Sequence, residues 1–334
     1  MLALVTGSTG FIGSHICWAL TAAGHEVRAF HRPNSSLLLL ENLDVEHCNG
    51  DITQPDSLAD SLKGVEVVFH TAAKLGIPRN PDLMYAVTVA GTRNVLNAAR
   101  ASGVRRVIHT STVAALGVPE RPHNKHIAPP AMNEYHTWNF PPQWWPYGHS
   151  KYLAEMEVQN AVAKGLDAVI VNPALVIGAG DINRVGGNVI IKAAQGILIA
   201  APPGGLNVIH IDDVVRGHLS VLEHGRTGER YILGAENLSH MEFLQIVADV
   251  VGVQAPRAAI PEWLVRALAR PVEIAAKFLP LPIGGDLLHK AGYYFYYDTH
   301  KAHQELGLND LRSTHSAIED AYAWYRQQNI IYNY

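Results

Sequence analysis

Two segments of the sequence combine residue types and spacings that can do chemistry. The first runs from Thr6 to Gly13, reads TGSTGFIG and directly follows an apolar run, Leu2–Val5. The second contains Tyr147 and Lys151, which are four residues apart. A glycine-rich turn lets backbone N–H groups approach a pyrophosphate, and a phenol beside a lysine can exchange a proton with a substrate. Together the two segments predict an enzyme that uses a nicotinamide cofactor.

The glycines of the first segment are spaced three apart, between a predicted strand and a predicted helix. Gly7 permits a tight turn, Gly10 lets the backbone approach a pyrophosphate, and Gly13 lets the helix pack on the sheet. A structural loop without a ligand is the alternative. The predicted cofactor contacts of this turn are Gly7, Thr9, Gly10, Phe11, Ile12 and Gly13.

The end of the second predicted strand indicates which cofactor is bound. An Asp or Glu at this point accepts hydrogen bonds from the ribose 2′-hydroxyl of NAD and repels the 2′-phosphate of NADP. The segment after this strand has no acid and contains Arg32, Asn34 and Ser36, which can donate to a phosphate. We therefore predict NADP(H) in preference to NAD(H). NAD(H) binding, with Arg32 as an ordinary solvated charge, is the alternative.

Two further groups of predicted cofactor contacts follow the third and fourth predicted strands. After the third strand, Asp51 offers a carboxylate and Ile52 an apolar edge, which together can hold an adenine. After the fourth strand, the small residues Thr71, Ala72 and Ala73 leave room for the backbone of the cofactor.

Tyr147 and Lys151 lie on one face if their segment is helical. A lysine charge about 5 Å from a phenol, at an effective dielectric constant of about 20, contributes roughly 3 kcal/mol, or about two pKa units. Such a phenol would exchange protons near neutral pH. An exposed pair without function is the alternative. The run 109–112, which carries hydroxyl groups, ends the predicted strand that precedes the segment of Tyr147 and Lys151. This position, one topological step before the pair, favours a catalytic role for the pair.

The elements predicted around these residues are those of an α/β fold with a doubly wound parallel sheet, because short apolar runs alternate with segments of helical period. Such sheets bind ligands beyond the carboxyl ends of their strands. The predicted strands are Leu2–Thr6, Val27–Phe30, Val45–Cys48, Val65–His70, Val107–Ser111 and Ala168–Asn172, and the predicted helices are Ile12–Ala23, Pro55–Leu62, Pro81–Ser102 and Tyr147–Lys164.

The pattern loosens from about Val176, where Gly- and Pro-rich loops separate helices and short strand candidates at Val208–Ile211 and Tyr231–Leu233. We predict a Rossmann domain over residues 1–175, with a returning segment around 206–235. A smaller mixed α/β lobe over 176–334 would bind the substrate, with a cleft between the two.

Composition narrows the classes of partner. Among 334 residues, 48% are hydrophobic, 17% are charged and the formal net charge is -4, which gives no electrostatic reason to expect nucleic acid or an anionic membrane surface. No apolar run approaches the roughly 18–20 residues of a membrane span, and no signal peptide precedes the first strand. The cysteines, Cys17 and Cys48, fall in a predicted buried helix and strand end, as expected of reduced thiols. We expect a cytoplasmic protein.

Several motifs in fixed order resemble the extended short-chain dehydrogenase/reductase superfamily, and most closely its dihydroflavonol-4-reductase-like branch. The resemblance covers residue 2 to about residue 325. The motifs are the glycine turn, Gly50-Asp51, His70–Ala73, Gly91–Val95, Thr110–Thr112, the pair Tyr147 and Lys151, Ile209–Asp213, and the late stretch 298–307.

The resemblance implies roles for individual residues. Tyr147 would donate a proton to a substrate carbonyl oxygen, and Lys151 would lower the pKa of Tyr147 and hold the nicotinamide ribose. Thr112 would hydrogen-bond the same oxygen, with Ser111 as a substitute. The residues implied to lie along the nicotinamide are Thr110, Pro173, Ala174 and Val176.

The resemblance also implies a homodimer through the helices Pro81–Ser102 and Tyr147–Lys164. Two positions depart from the family pattern: Thr88 replaces a frequent Asn, which puts an Asn-mediated water relay in doubt, and Asn172 replaces a frequent Arg.

The superfamily also contains sugar-nucleotide epimerases and dehydratases. Where those enzymes place an Asn and an Arg that grip the nucleotide diphosphate, this sequence has Leu175 and Leu206, and Val113-Ala114 stands where dehydratases place Asp-Glu. A leucine cannot replace a charged diphosphate contact. We therefore predict NADPH-dependent reduction of an aldehyde or ketone. An epimerase of a sugar or sugar nucleotide is the alternative, and a non-catalytic NADP-binding regulator is a third reading that retention of Tyr147 and Lys151 disfavours.

The predicted substrate side is rich in aromatic residues, which suits an apolar or aromatic carbonyl compound, although simple packing of the lobe explains them equally well. They are Trp138, Phe140, Trp144, Trp145 and Tyr293–Tyr297. No metal site is predicted. His123 and His126 lie in a Pro-rich loop without a Cys or carboxylate to complete a ligand set, and His149 is predicted to point away from the face of Tyr147 and Lys151.

Overall fold

A parallel sheet of seven strands forms the centre of the structure within the described ranges. The structure is a computed structural model, which describes residues 1–76, 81–121, 129–197, 200–276 and 289–331. The strands of this sheet and of a smaller second sheet are β1 (Leu2–Thr6), β2 (Glu26–His31), β3 (Glu46–Asn49), β4 (Val67–His70), β5 (Arg106–Thr110), β6 (Ala168–Pro173), β7 (Leu175–Ile177), β8 (Gly205–His210), β9 (Arg230–Leu233) and β10 (Glu236–Ser239).

The order of strands in the central sheet is β3-β2-β1-β4-β5-β6-β9, and every pairing in it is parallel. The direction of winding reverses between β1 and β4, so the carboxyl edge at these strands is the expected ligand crevice. A smaller sheet of mixed direction has the order β10-β8-β7. The predicted doubly wound fold with a second, mixed element is confirmed.

Helices cover both faces of the central sheet. The helices among the described residues, including those that pack on the smaller sheet, are α1 (Phe11–Ala22), α2 (Asp56–Ala59), α3 (Pro81–Tyr85), α4 (Gly91–Ala101), α5 (Pro146–Ala163), α6 (Asn188–Ala194), α7 (Ile211–His224), α8 (His240–Val251), α9 (Glu262–Ala276), α10 (His300–Leu306) and α11 (Thr314–Gln327).

One apolar core lies between the sheet and α1, α7 and α10, with Ile16, Leu20, Val214 and Leu306 as members. A second lies on the other face, under α2, α4 and α5. A third joins the smaller sheet to α6, α8 and α11. This arrangement leaves the carboxyl edge of the central sheet free to carry polar loops.

The prediction that the third strand is buried is wrong. β3 is an edge strand whose residues are mostly exposed, because it pairs only with β2. Cys48 is therefore partly exposed, whereas Cys17 is buried, and both thiols are free. Burial raises the pKa of Cys17 to about 12.

Two predicted helices also differ from the structure. The segment Pro55–Leu62 forms only the single turn α2, and the segment Pro81–Ser102 contains a π-helical turn, Ala86–Ala90, between α3 and α4. In that turn the hydroxyl of Thr92 donates to the carbonyl of Thr88 at 2.6 Å, so a side chain competes for the backbone acceptor. The side chain of Thr88 is itself buried, and its hydroxyl accepts from the Lys74 amide at 3.3 Å.

The short strands predicted near residues 208–211 and 231–233 belong to different sheets. The first forms β8 of the smaller sheet, and Ile211 instead begins α7, where the imidazole of His210 accepts from the amide of Asp212. The second forms β9 and joins the central sheet beside β6. Neither β7 nor β10 is apparent from the sequence pattern.

No helix in the described ranges is long and apolar enough to cross a membrane. Among the same residues, no three His, Cys, Asp or Glu side chains are grouped closely enough to hold a metal ion. The predicted pair His123 and His126 lies outside the described residues.

Candidate active site

The glycine turn after β1 has the geometry that its sequence predicts. Gly7 adopts a φ of 70°, which favours glycine, and its amide donates to the Phe30 carbonyl at 3.2 Å. The Gly10 amide donates back to the Gly7 carbonyl at 2.9 Å. A Cβ at Gly13 would collide with the Gly7 carbonyl oxygen and the Thr71 hydroxyl. The start of α1 therefore rests directly on the turn.

The N-terminus of α1 suits an anion such as a pyrophosphate. Gly10 is its N-cap, no side chain caps its free N–H groups, and no acidic residue stands in its first turn. Free N–H groups and the helix dipole both favour negative charge at this point. Thr9 lies in the turn, and Phe11 and Ile12 open the helix. These residues fit the phosphates of a dinucleotide.

A cleft of about 340 Å³ lies beyond β2 and β3, lined by Arg32, Pro33, Asn34 and Asp51. The Asp51 carboxylate accepts from the amide and the hydroxyl of Thr53, at 2.9 and 2.8 Å. The structure therefore brings three predicted contacts, Arg32, Asn34 and Asp51, to one cleft.

Ser36 and Ile52 lie to either side of these residues. The Ser36 hydroxyl accepts from the Leu38 amide at 3.4 Å, and Ser36 does not line the cleft. Ile52 is buried, and its side chain lies against Gly91 of α4, where a Cβ would meet it at 2.7 Å.

The remaining predicted cofactor contacts follow β4 and β6. The Thr71 hydroxyl donates to the Thr6 carbonyl at 2.7 Å, which fixes the loop with Ala72 and Ala73 beside the glycine turn. Pro173 ends β6, Ala174 follows it, and Val176 lies in β7. All these positions share the carboxyl edge of the sheet.

Thr112, Tyr147 and Lys151 converge at the same edge. Tyr147 lies in the first turn of α5, with its phenol close to the Thr112 hydroxyl, which itself donates to the Pro173 carbonyl at 3.5 Å. Lys151 is 2% exposed, and its Nζ donates to the carbonyl of Thr110 at 2.7 Å. Because Thr110 ends β5, the lysine is fixed at the end of the strand that leads to Thr112.

Burial changes the proton affinities of this pair in a way that the sequence did not predict. The expectation was that Lys151 lowers the pKa of Tyr147. Instead, burial raises the pKa of Tyr147 to about 12, and the Thr112 hydrogen bond opposes it. Burial lowers the pKa of Lys151 to about 8, against the attraction of Glu155. The phenol is thus held in its protonated form, which a proton donor must have.

The Ser111 hydroxyl hydrogen-bonds a group other than the Tyr147 phenol, although the resemblance suggested Ser111 as a substitute for Thr112. Its hydroxyl donates to the carboxylate of Glu155, one turn beyond Lys151 in α5. The amide of Asn172 donates to the same carboxylate at 2.6 Å and to the Thr112 carbonyl at 2.9 Å. Sequence reasoning missed Glu155; its spacing of four residues from Lys151 on one helix face was the available signal.

We expect replacement of Thr112 by Val to lower kcat about 10–100-fold, because a hydrogen bond to a charged oxygen contributes about 1.5–3 kcal/mol. Replacement of Ser111 by Ala is the comparison variant and should lower kcat less than Thr112→Val, because its hydroxyl bonds Glu155 and does not face the phenol. Steady-state kinetics with the purified variants measure both. A larger loss from Ser111→Ala would assign the role to Ser111.

Aromatic side chains form a wall next to Tyr147. Phe140 and Trp145 are buried in it, and Trp138, Tyr293 and Phe295 pack against them together with Tyr147. Residues 293–297 alternate, since Tyr294 and Tyr296 instead lie against Gly205 of the smaller sheet. Part of the predicted aromatic set therefore faces the site.

His149 and Trp144 lie at the margins of this wall. His149 is partly buried; its Nδ1 hydrogen-bonds the Tyr85 hydroxyl at 2.9 Å, and its ring lies 5.4 Å from that of Trp138. Trp144 is 38% exposed and stacks on His289 at 4.2 Å.

Comparison with known proteins places this chain in a family. The model of the NAD dependent epimerase/dehydratase family matches residues 3–234. Sterol demethylase protein B of Methylococcus capsulatus is 35% identical over 99% of this chain and 100% of its own length. A dihydroflavonol 4-reductase-like protein of Synechocystis sp. is 34% identical over 98% of this chain and 95% of its own. The crystal structure of a nucleoside-diphosphate-sugar epimerase from Pseudomonas aeruginosa superposes with a TM-score of 0.81, at 25% identity over 99% of both chains.

Proposed function

We propose that this chain, which belongs to the NAD-dependent epimerase/dehydratase family, is an NADPH-dependent reductase of an apolar aldehyde or ketone. The observation that carries the proposal is the position of Tyr147. Its ring packs in a wall of aromatic side chains and its phenol lies near the Thr112 hydroxyl, so a proton donor faces an apolar surface. An apolar wall with a few polar groups at one point is typical of a site for a small organic substrate.

The residues of the chain divide the work of this reaction. The glycine turn and the first turn of α1 would hold the pyrophosphate, and the Arg32 cleft would hold the adenosine end. A reduced nicotinamide, when bound, supplies a hydride to a carbonyl carbon. Tyr147 gives its proton to the carbonyl oxygen, and Thr112 orients that oxygen. The Lys151 charge stabilises the phenolate that forms as the proton leaves.

Two leucines support a substrate without a diphosphate. Leu175 and Leu206 stand where a sugar-nucleotide enzyme needs polar or charged contacts, and both pack against the apolar core of the smaller lobe. The relatives named for a sterol and for a dihydroflavonol agree with an apolar ring compound. The epimerase likeness keeps sugar-nucleotide epimerisation as the second candidate.

NADPH oxidation with a panel of apolar aldehydes and ketones, beside turnover of nucleotide sugars, tests the two candidates. We expect that at least one carbonyl compound is reduced with oxidation of NADPH. We expect no turnover of any nucleotide sugar. Turnover of a nucleotide sugar without reduction of any carbonyl compound would favour the epimerase.

For cofactor choice, we expect the wild type to bind NADPH more tightly than NADH. Replacement of Arg32 by Ala should raise the Kd of NADPH about 10–100-fold, because it removes a charged contact to the 2′-phosphate. The Kd of NADH should stay within about twofold, because NADH has no 2′-phosphate. Fluorescence titration of both cofactors measures this. Arg105→Ala, an exposed arginine at the opposite edge of the sheet, is the control. Tighter NADH binding by the wild type would contradict the expected preference.

A further inference from the structure

Glu155 is a buried carboxylate that the proposed reaction does not use. It is 1% exposed and lies in α5, one turn beyond Lys151. A buried charge is costly unless charged or hydrogen-bonding partners satisfy it. Glu155 has three such partners: the Ser111 hydroxyl, the Asn172 amide at 2.6 Å and the Arg230 guanidinium at 3.0 Å.

Arg230 extends this contact to the loop that precedes α5. Its Nε donates to the Glu134 carbonyl at 2.7 Å, and its Nη2 donates to the His136 carbonyl. The Glu134 carboxylate in turn accepts from the Ile232 amide at 3.0 Å. Arg230 is the first residue of β9, so the loop is fixed to the central sheet on both sides of residue 135.

The loop held by Arg230 forms part of the aromatic wall. Trp138 follows it directly, and its ring lies against Gly148, the residue after Tyr147, where a Cβ would meet the indole at 2.7 Å. Its centroid is also 6.2 Å from that of Tyr152. A displacement of residues 134–136 would therefore move Trp138 and change the surface beside the Tyr147 phenol.

Through Asn172, Glu155 is also linked to the backbone of Thr112. Asn172 donates both to Glu155 and to the backbone carbonyl of Thr112, so its single amide links the two. The carboxylate thus connects Thr112, the helix of Tyr147 and Lys151, and the wall loop. The bonds of Glu155 to Ser111 and Asn172 are buried, where hydrogen bonds of charged groups hold geometry most firmly.

We propose that Glu155 and Arg230 are a positioning pair, which sets the wall loop 134–138 and Thr112 relative to the Tyr147 phenol. This inference rests on the proposed function for its effect on catalysis, but its effect on the loop is independent of any substrate. Neither residue touches the reacting atoms.

The test replaces Arg230 with Met, which has a similar stem but cannot donate. Hydrogen–deuterium exchange of the segment 132–140 should become at least about tenfold faster than in the wild type. With a carbonyl compound that the wild type reduces, kcat should fall about 10²-fold, since small misplacement of reacting groups has effects of this size. The Kd of NADPH should stay within about twofold, because the nucleotide contacts lie at β1 and β2.

Arg226→Met is the matched control. Arg226 lies four residues earlier and forms a two-bond ion pair with Glu305 at 2.6 and 3.0 Å, but it is 60% exposed. The Arg226→Met variant should leave both the hydrogen–deuterium exchange of residues 132–140 and kcat unchanged. If Arg230→Met does not fold, Arg230→Lys carries the test, because it keeps the charge and loses the fork that reaches both loop carbonyls.

Unchanged exchange in the Arg230 variant would overturn the inference, and so would faster exchange with unchanged kcat. If the wild type reduces no carbonyl compound, the proposed function fails, while the exchange result still decides whether Arg230 holds the loop.

Discussion

Replacement of Tyr147 by Phe is expected to lower kcat by about 10²–10⁴-fold, the usual contribution of a positioned proton donor. The variant loses only the hydroxyl, so the ring keeps its place in the aromatic wall beside Phe140 and Trp145. Cofactor affinity should change less than about twofold, since the proposed nucleotide contacts are at the glycine turn and the Arg32 cleft. Single-turnover and steady-state kinetics, with fluorescence titration of NADPH, measure these quantities.

Tyr322→Phe is the control for this variant, because Tyr322 lies in α11 and packs against the core of the smaller lobe. It should leave kcat unchanged. Undiminished turnover by Tyr147→Phe would remove Tyr147 from the role of proton donor.

Replacement of Lys151 by Met is expected to lower kcat about 100-fold at pH 7. A lysine charge about 5 Å from a forming phenolate would contribute roughly 3 kcal/mol at an effective dielectric constant of about 20, which would offset part of the burial that raises the pKa of Tyr147. Methionine fills similar space but also gives up the bond to the Thr110 carbonyl. Lys164→Met, an exposed lysine just after the other end of α5, is the control.

The same charge can be removed by pH. Because burial lowers the pKa of Lys151 to about 8, the lysine is charged below this pH and neutral above it. The wild-type kcat/KM should therefore fall as pH rises through about 8, well before a free lysine would titrate. Lys151→Met should lose this step. A step that persists in the variant would assign the titration to another group.

Local features of this fold are visible in the sequence because they depend on neighbouring residues. The strand, glycine turn and helix at residues 2–22 follow from apolar patterning and from the spacing of Gly7, Gly10 and Gly13. The Tyr147 and Lys151 face of α5 follows from helical periodicity alone. The order of such units then predicts the doubly wound sheet.

Features that depend on distant contacts were missed. Arg230 meets Glu155 across 75 positions of sequence, and no local pattern marks the pair. The exposure of β3 depends on its place at the sheet edge, which strand patterning does not reveal. The raised pKa of Tyr147 has the same origin, since the sequence shows a neighbouring lysine but not the burial that outweighs it.

Transfer of deuterium from NADPH labelled at the transferring carbon tests the proposed reaction most directly. With an apolar carbonyl compound as substrate, we expect one deuterium on the former carbonyl carbon of the alcohol product, with one NADP⁺ formed for each alcohol. Epimerisation of a nucleotide sugar without net oxidation of NADPH, together with no labelled alcohol from any carbonyl compound, would contradict it.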